Sequence, residues 1–335
     1  MLATPTLKIL SMQATRRPAS VRGRKSQSTA GGPEIKRVFG PLREERLALL
    51  TRSQPRPVVV PGLDARRVQA FAAKTGLDPK ELERLGLRHH KEILRALSAR
   101  QKDSVRASAH ADRTLKASAL AWVTGQQAVA TTDVGAVTRD VINAPVLIWP
   151  TSGLSLDASS IAPLNSFLKF RYQSSSHQDS QMGSFFFQWT NPSSYDTQIS
   201  VDAYIIFNGT GYAISNGGWD LDGRMTLLAV YGLLDVYGDW GPGPAWLGGD
   251  IAEALGLFAI PDKGLFYQHT ASQSGDVYRG YDLRVDSIPV VANGQVTIKL
   301  DAWLQFSATD GSVSVDFSSG AFGVTAYAVL VTKWL

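Results

Sequence analysis

A chain of 335 residues with 44% apolar side chains, 19% charged side chains and a mean hydropathy of −0.07 has enough apolar surface for one large core or two, which excludes wholesale disorder. No apolar run nears the ~18 residues of a membrane-spanning helix. With 0 cysteines, disulfide frameworks, thiolate catalysis, iron–sulfur clusters and cysteine-ligated zinc are all excluded, and the compartment stays open.

The formal net charge of +5 hides an asymmetry. Residues 1–125 carry 25 of the 34 Lys and Arg but 10 of the 29 Asp and Glu, so this half stands at +15 and residues 126–335 at −10. A basic segment ahead of an acidic body is the pattern expected where a tail meets a polyanion or an acidic surface, its own body included.

In chain order, residues 1–33 contain no acid but hold Lys8, Arg16, Arg17, Arg22, Arg24 and Lys25 among Ser, Thr and Pro. This composition cannot bury enough apolar surface to fold alone. Residues 1–60 therefore read as a disordered basic tail, with Arg16, Arg17, Arg22, Arg24 and Lys25 as the candidate polyanion contacts. Leu7-Lys8-Ile9-Leu10 is too short and too charged for a secretory h-region, although the Arg-rich, acid-free composition suits a transit peptide as well as a nucleic-acid arm.

Residues 61–125 read as helical. Asp64 caps a helix carrying Val68, Phe71 and Ala72, Gly76 ends it, and Asp78-Pro79 with Glu81 opens a second helix around Leu82 and Leu85. The spacing partly matches a DNA-reading helix-turn-helix, but Glu81 and Glu83 on the reading helix would repel phosphate. From Leu87 a long Ala/Arg-rich helix is expected, with an apolar stripe (Leu87, Leu94, Leu97) that fades at Gln101 and Ser104, giving a solvated stalk or a helix lying on a partner.

The β domain is placed from residue 126, and from roughly Val141 onward the period becomes two. Val296, Ile298, Leu300, Ala302, Leu304 and Phe306 alternate with Thr297, Lys299, Asp301, Trp303 and Gln305, which predicts a half-buried strand. Inward sets recur at Ile199, Val201, Ala203, Ile205 and Phe207, at Phe185, Phe187 and Trp189, and at Phe322, Val324, Ala326, Ala328 and Leu330. Met225 to Val236 reads as a strand, and Asn208-Gly209, Asn216-Gly217, Asn293-Gly294 and Asp310-Gly311 as hairpin turns. The predicted fold is mainly β: an antiparallel β-sandwich or jelly-roll-like domain over residues 126–335, preceded by the helical segment and the tail.

Binding residues are expected in the long connection Gly238 to Gly264, where Trp240 and Trp246 offer flat apolar faces and Asp250 with Glu253 forms a capping box for a short helix at Ile251 to Leu255. Trp219, Asp220 and Asp222 form a second cluster; the two carboxylates before Gly223 suggest an irregular calcium loop, since Arg224 at the fifth position excludes an EF-hand. No other metal or cofactor is implied. Asp276, Asp282 and Asp286 place negative charge along one strand face, a docking surface for basic residues. Asn208-Gly209-Thr210 is formally a glycosylation acceptor but reads better as a turn.

Catalytic motifs are missing: there is no nucleophile elbow, Walker A run or His-Glu-x-x-His. His89, His90 and His110 sit on basic helices; His177 near Asp179, and His269, are the only bases placed for chemistry. Three readings follow, none tied to a named family. The first is a non-enzymatic interaction module whose β-sandwich recognises a protein or glycan through its Trp/Asp loops. The second is a self-assembling, homo-oligomeric coat-type protein whose arm binds nucleic acid. The third is a hydrolase using His177 or His269.

Overall fold

The computed structural model describes residues 32–52, 73–74, 76, 78–132, 137–175, 178–216, 226–240, 243–259, 270–308 and 311–334. Among these residues two complete helices precede the strands, α1 (Gly32–Arg52) and α2 (Pro79–Thr132). Twelve strands follow: β1 (Val137–Ile142), β2 (Leu147–Pro150), β3 (Ser155–Ser160), β4 (Ser166–Ser175), β5 (Gln178–Thr190), β6 (Thr197–Asn216), β7 (Thr226–Trp240), β8 (Gly243–Ala259), β9 (Thr270–Val290), β10 (Gln295–Ala308), β11 (Gly311–Phe317) and β12 (Gly323–Trp334).

All pairings are antiparallel, in two sheets. One has the order β2-β5-β10-β7-β8. In the other, β11 and the start of β12 follow one another along the slot between β4 and β6, β9 lies outside β6, and β1 and β3 add at the other side. From β4 onward the chain crosses between the sheets at every connection except the β7–β8 hairpin and the step from β11 to β12, so that β4-β11/β12-β6-β9 faces β5-β10-β7-β8. That order is a jelly roll. Its core holds the inward sets of β5, β6 and β10 that the period of two predicted, together with Phe170, Leu228, Leu257 and Phe317.

On β12 the alternation is broken. A bulge between Ala326 and Ala328 inserts one residue, so Val324, Ala326, Val329 and Val331 enter the core while Tyr327 and Ala328 pack with the α2 residues Leu115 and Ala119. A bulge reverses every facing that follows it, and for this reason the single inward set through Ala328 and Leu330 does not hold.

Two turn assignments also change. Asn208-Gly209 lies inside β6, where Asn208 is buried and donates through Nδ2 to Ser108 O and Ala321 O, so it is neither a turn nor accessible for glycosylation. Asn293-Gly294 is a tight turn, with Asn293 at φ 55 and Gly294 N bonded to Val291 O, but it carries the chain from β9 in one sheet to β10 in the other. A jelly roll uses such turns to cross between layers. Gly217 and Asp310 lie outside the described residues.

Helices sheathe both outer faces. The segment 32–52, which composition places in the disordered tail, is helical and seats Ile35 and Phe39 against Phe186 and Tyr237, and Leu47 near Met182, Leu233 and Trp303. β10 is accordingly buried on both faces, including Lys299, Asp301 and Trp303. α2 is one continuous helix of 54 residues, about 80 Å long, starting where Asp78 Oδ1 accepts from Lys80 N at 3.0 Å. The helix predicted from Asp64 lies mostly outside the described residues; Gly76, at φ 75, stands in the left-handed region that terminates helices.

Candidate functional site

The apolar stripe of α2 does not fade; it changes chemistry. Leu97, Gln101, Ser104, Ser108, Leu115, Ala119 and Val123 recur at helical spacing and form the seam on the β4-β11/β12-β6-β9 sheet. Gln101 Nε2 donates to Asp316 Oδ2 at 2.7 Å, Ser104 Oγ to Asp276 Oδ1 at 2.8 Å, and Trp122 Nε1 to Asp282 Oδ2 at 2.9 Å. Arg100 adds a bond to Ser274 Oγ and an ion pair with Asp276 at 4.0 Å. Small polar residues let the helix approach closely while supplying the donors that buried carboxylates need. The negative face of β9 is therefore a docking surface for the chain's own helix at Asp276 and Asp282. Asp286 instead pairs with Arg284 at 2.8 Å. Burial raises the Asp282 carboxyl above its ordinary value, against the Trp122 bond, and burial likewise raises Asp202.

Under α1 lies a buried ionic cluster. Asp235 on β7 accepts at Oδ1 from Trp246 Nε1 (2.9 Å) and Arg46 (3.3 Å). Its Oδ2 has no hydrogen bond and lies 4.0 Å from Lys299 Nζ. Lys299 bonds Asp301 Oδ2 at 2.5 Å and touches Met182 Sδ at 3.4 Å; Asp301 Oδ1 has no donor. Arg43 completes the group, donating to Trp149 O (2.7 Å) and Met182 O (2.8 Å) with its guanidinium 4.5 Å above the Trp149 ring. Burial pushes the Arg43 pKa down, opposed by the charge of Asp301. The same desolvation holds the Tyr237 phenol well above its ordinary value. These contacts fix α1 to the sheet.

Of the candidate ligand-binding and polyanion-binding residues named from sequence, Trp246 is the one whose side chain lies among the described residues. It lies on β8, 44% exposed, its indole N–H held by Asp235. The segment expected as a long loop with a capped helix is the β7–β8 hairpin: Asp250 pairs with Leu234, donors at Ile251 N and Arg284 N reach its carboxylate, and no helix forms, because the apolar residues from Ile251 fit the edge of a sheet. Trp240 closes β7 opposite Gly243, its side chain outside the described residues. Trp219, Asp220, Asp222, Arg16, Arg17, Arg22, Arg24, Lys25, His177 and His269 also lie outside them. Among the described residues no group of three or more His, Cys, Asp or Glu could hold a metal ion, and no helix is long and apolar enough to cross a membrane.

Sequence reasoning missed Arg43, Arg46, Asp235, Lys299 and Asp301. The available signal was the amphipathic spacing Ile35, Phe39, Leu42, Arg43 and Arg46 inside a segment dismissed for its charge. It also missed an apolar patch at one end of the sandwich, where Tyr195 (52% exposed), Val291 (36%) and Trp334 (46%) surround the 191–196 loop and the 291–294 turn.

No protein family and no curated protein matches this sequence. Solved structures similar to it include a carbohydrate-binding module in complex with β-1,4-galactotriose (8% identity, 51% of this chain and 83% of that chain, TM-score 0.16). Others are a mannan-recognising carbohydrate-binding module (12%, 59% and 89%, TM-score 0.18) and the Eiger TNF from S. frugiperda (6%, 54% and 91%, TM-score 0.17). Scores at this level carry no argument about function, and the jelly roll rests on its own strand order.

Proposed function

We propose that this chain is a non-catalytic structural interaction protein of the coat type, in which an acidic jelly-roll body carries a cationic N-terminal half toward nucleic acid. The observation that carries the reading is the sheathing: α1 and α2, both from the half with net charge +15, lie on the two outer faces of the sandwich. A ligand platform on either sheet face is thus already occupied by the chain itself. The exposed Tyr195, Val291 and Trp334 patch supplies a surface suited to a further protein contact, including another copy. The test is size-exclusion chromatography with light scattering and a 260/280 nm ratio on the full chain at low and high salt. A large nucleic-acid-bearing particle that loses its nucleic acid in salt is expected; a nucleic-acid-free monomer at both salts overturns the reading.

A second reading, recognition of a glycan by the β body, is favoured by Trp246, whose half-exposed ring is held in place through its indole N–H. Retardation of the full chain in glycan-containing gels, abolished by Trp246→Ala with an unchanged far-UV spectrum, would support it. Equal mobility of both proteins in every gel would exclude Trp246 as the contact.

A further inference from the structure

The docking of α2 determines which of its faces meets solvent. At about 100° per residue, Arg88, Lys91, Arg95, Lys102, Arg106 and Arg113 fall within an arc of roughly 60°, centred about 150° around the helix from the seam of Leu97, Gln101, Ser104, Ser108 and Leu115. All six are exposed. They run in a nearly straight line of about 38 Å, at 1.5 Å per residue.

We infer that this outer face of α2 is a phosphate-backbone track for nucleic acid, a second contact distinct from the N-terminal arm. The inference rests on the polyanion reading above and adds to it a site on the folded body. Three observations favour nucleic acid over a protein partner. The cations repeat as a linear array, and a strand advancing about 3.4 Å per phosphate would set roughly eleven phosphates along the same length. Between Arg88 and Arg113 the spacer on the arc is Ala109, with Ser98 and Ala99 at its margins, and no large apolar side chain stands there to act as the buried anchor that protein interfaces need; the exposed Leu120 lies on the same line but about 10 Å beyond Arg113. Acids stay at the margin: Asp103 engages Arg106 at 3.1 Å, a solvent-exposed pair that phosphate can outcompete. Contacts of this kind position a chain without reading its bases, which removes the objection that Glu81 and Glu83 raise to a sequence-reading helix.

The experiment compares the full chain, a track variant (Lys91→Gln, Arg95→Gln, Lys102→Gln, Arg113→Gln) and an arm variant (Arg16→Gln, Arg17→Gln, Arg22→Gln, Arg24→Gln, Lys25→Gln). Each is titrated with a labelled 40-nucleotide single-stranded RNA at several salt concentrations, and light scattering is recorded in parallel. The track variant should keep its far-UV spectrum, since its four positions are exposed, while the slope of log K against log salt becomes shallower by about 3 and affinity falls on the order of tenfold or more. If the track variant binds like the parent and the arm variant does not, the track is refuted and the coat reading stands. If the parent itself binds no RNA, both fall. Loss of salt-sensitive self-association without loss of RNA would assign the face to the acidic body of a second copy, which also refutes the track.

Discussion

Lys299→Met tests the cluster that fastens α1. Asp301 is fully buried in the middle of β10, between Ser184 on β5 and Leu233 on β7. Its Oδ2 takes a bond from Lys299 and its Oδ1 has no donor, so Met at position 299 would leave a buried carboxylate with neither oxygen bonded. Asp235 would lose the cation 4.0 Å from its own unpartnered oxygen but keep Trp246 and Arg46. Breaking one side of a buried ion pair costs about 3–5 kcal/mol, because the remaining charge is uncompensated. The double variant Lys299→Met/Asp301→Leu removes both charges with apolar groups of similar volume and should return to within about 1 kcal/mol of the parent, or exceed it by about 1–4 kcal/mol. Arg84→Ala is the surface control: its pair with Glu81 is exposed on both sides, and its loss should stay below about 1 kcal/mol. Equilibrium urea unfolding followed by tryptophan fluorescence, with m-values checked for equality, gives the three differences. The reasoning is refuted if Lys299→Met loses less than about 1 kcal/mol, or if the double variant is as unstable as the single one.

Trp246→Phe keeps an aromatic face, though a smaller one, and removes the donor to Asp235; it should cost about 1–3 kcal/mol in the same unfolding assay, and no loss would mean that Arg46 alone satisfies that oxygen. Gly209→Ala places a Cβ 2.4 Å from Phe317 Cδ1 and 2.7 Å from Asp316 O, an overpacking of about 1–3 kcal/mol that calorimetry should show as a lowered melting temperature; full tolerance would contradict the close approach of β6 and β11. Asp316 gives a pH signature. Burial alone would raise its carboxyl, but the bonds from Ser318 and Ser319 outweigh it and hold the pKa below the usual 3.8. A depressed folded pKa gives stability that is present above the unfolded value and is lost as pH falls through the folded one, so the penalty of Asp316→Ala should be full at neutral pH and shrink below about pH 4. A penalty constant with pH would show that those bonds do not depend on the charge.

The strands of the body were legible because their pattern is local. In β5, β6 and β10 each side chain's facing follows from a period of two, and the β-branched and aromatic content suits a half-buried surface. The asymmetry of charge was equally legible, as was the N-cap at Asp78. Other features depend on what the segment meets in space. The bulge at Tyr327 is invisible in the alternation of β12 because both phases are apolar there, and only the demand of α2 for Ala328 selects the shift. Ile251 to Leu255 satisfies the sequence signals of a capped helix, yet pairing with β7 along one side of the strand and the burial of Leu255 in the core prevail over local preference.

Sequence by itself determined the jelly-roll material, its acidic character and the cationic half that precedes it. Tertiary structure alone decided what that half does. Gln101, Ser104 and Ser108 look like the end of an apolar stripe until Asp316, Asp276 and Asn208 face them, and Lys299 and Asp301 look solvent-facing until α1 covers them. The physical reason is that a polar side chain carries no local record of its burial. Desolvation and hydrogen bonding are settled by the partner, and the partners here lie 100 or more residues away along the chain.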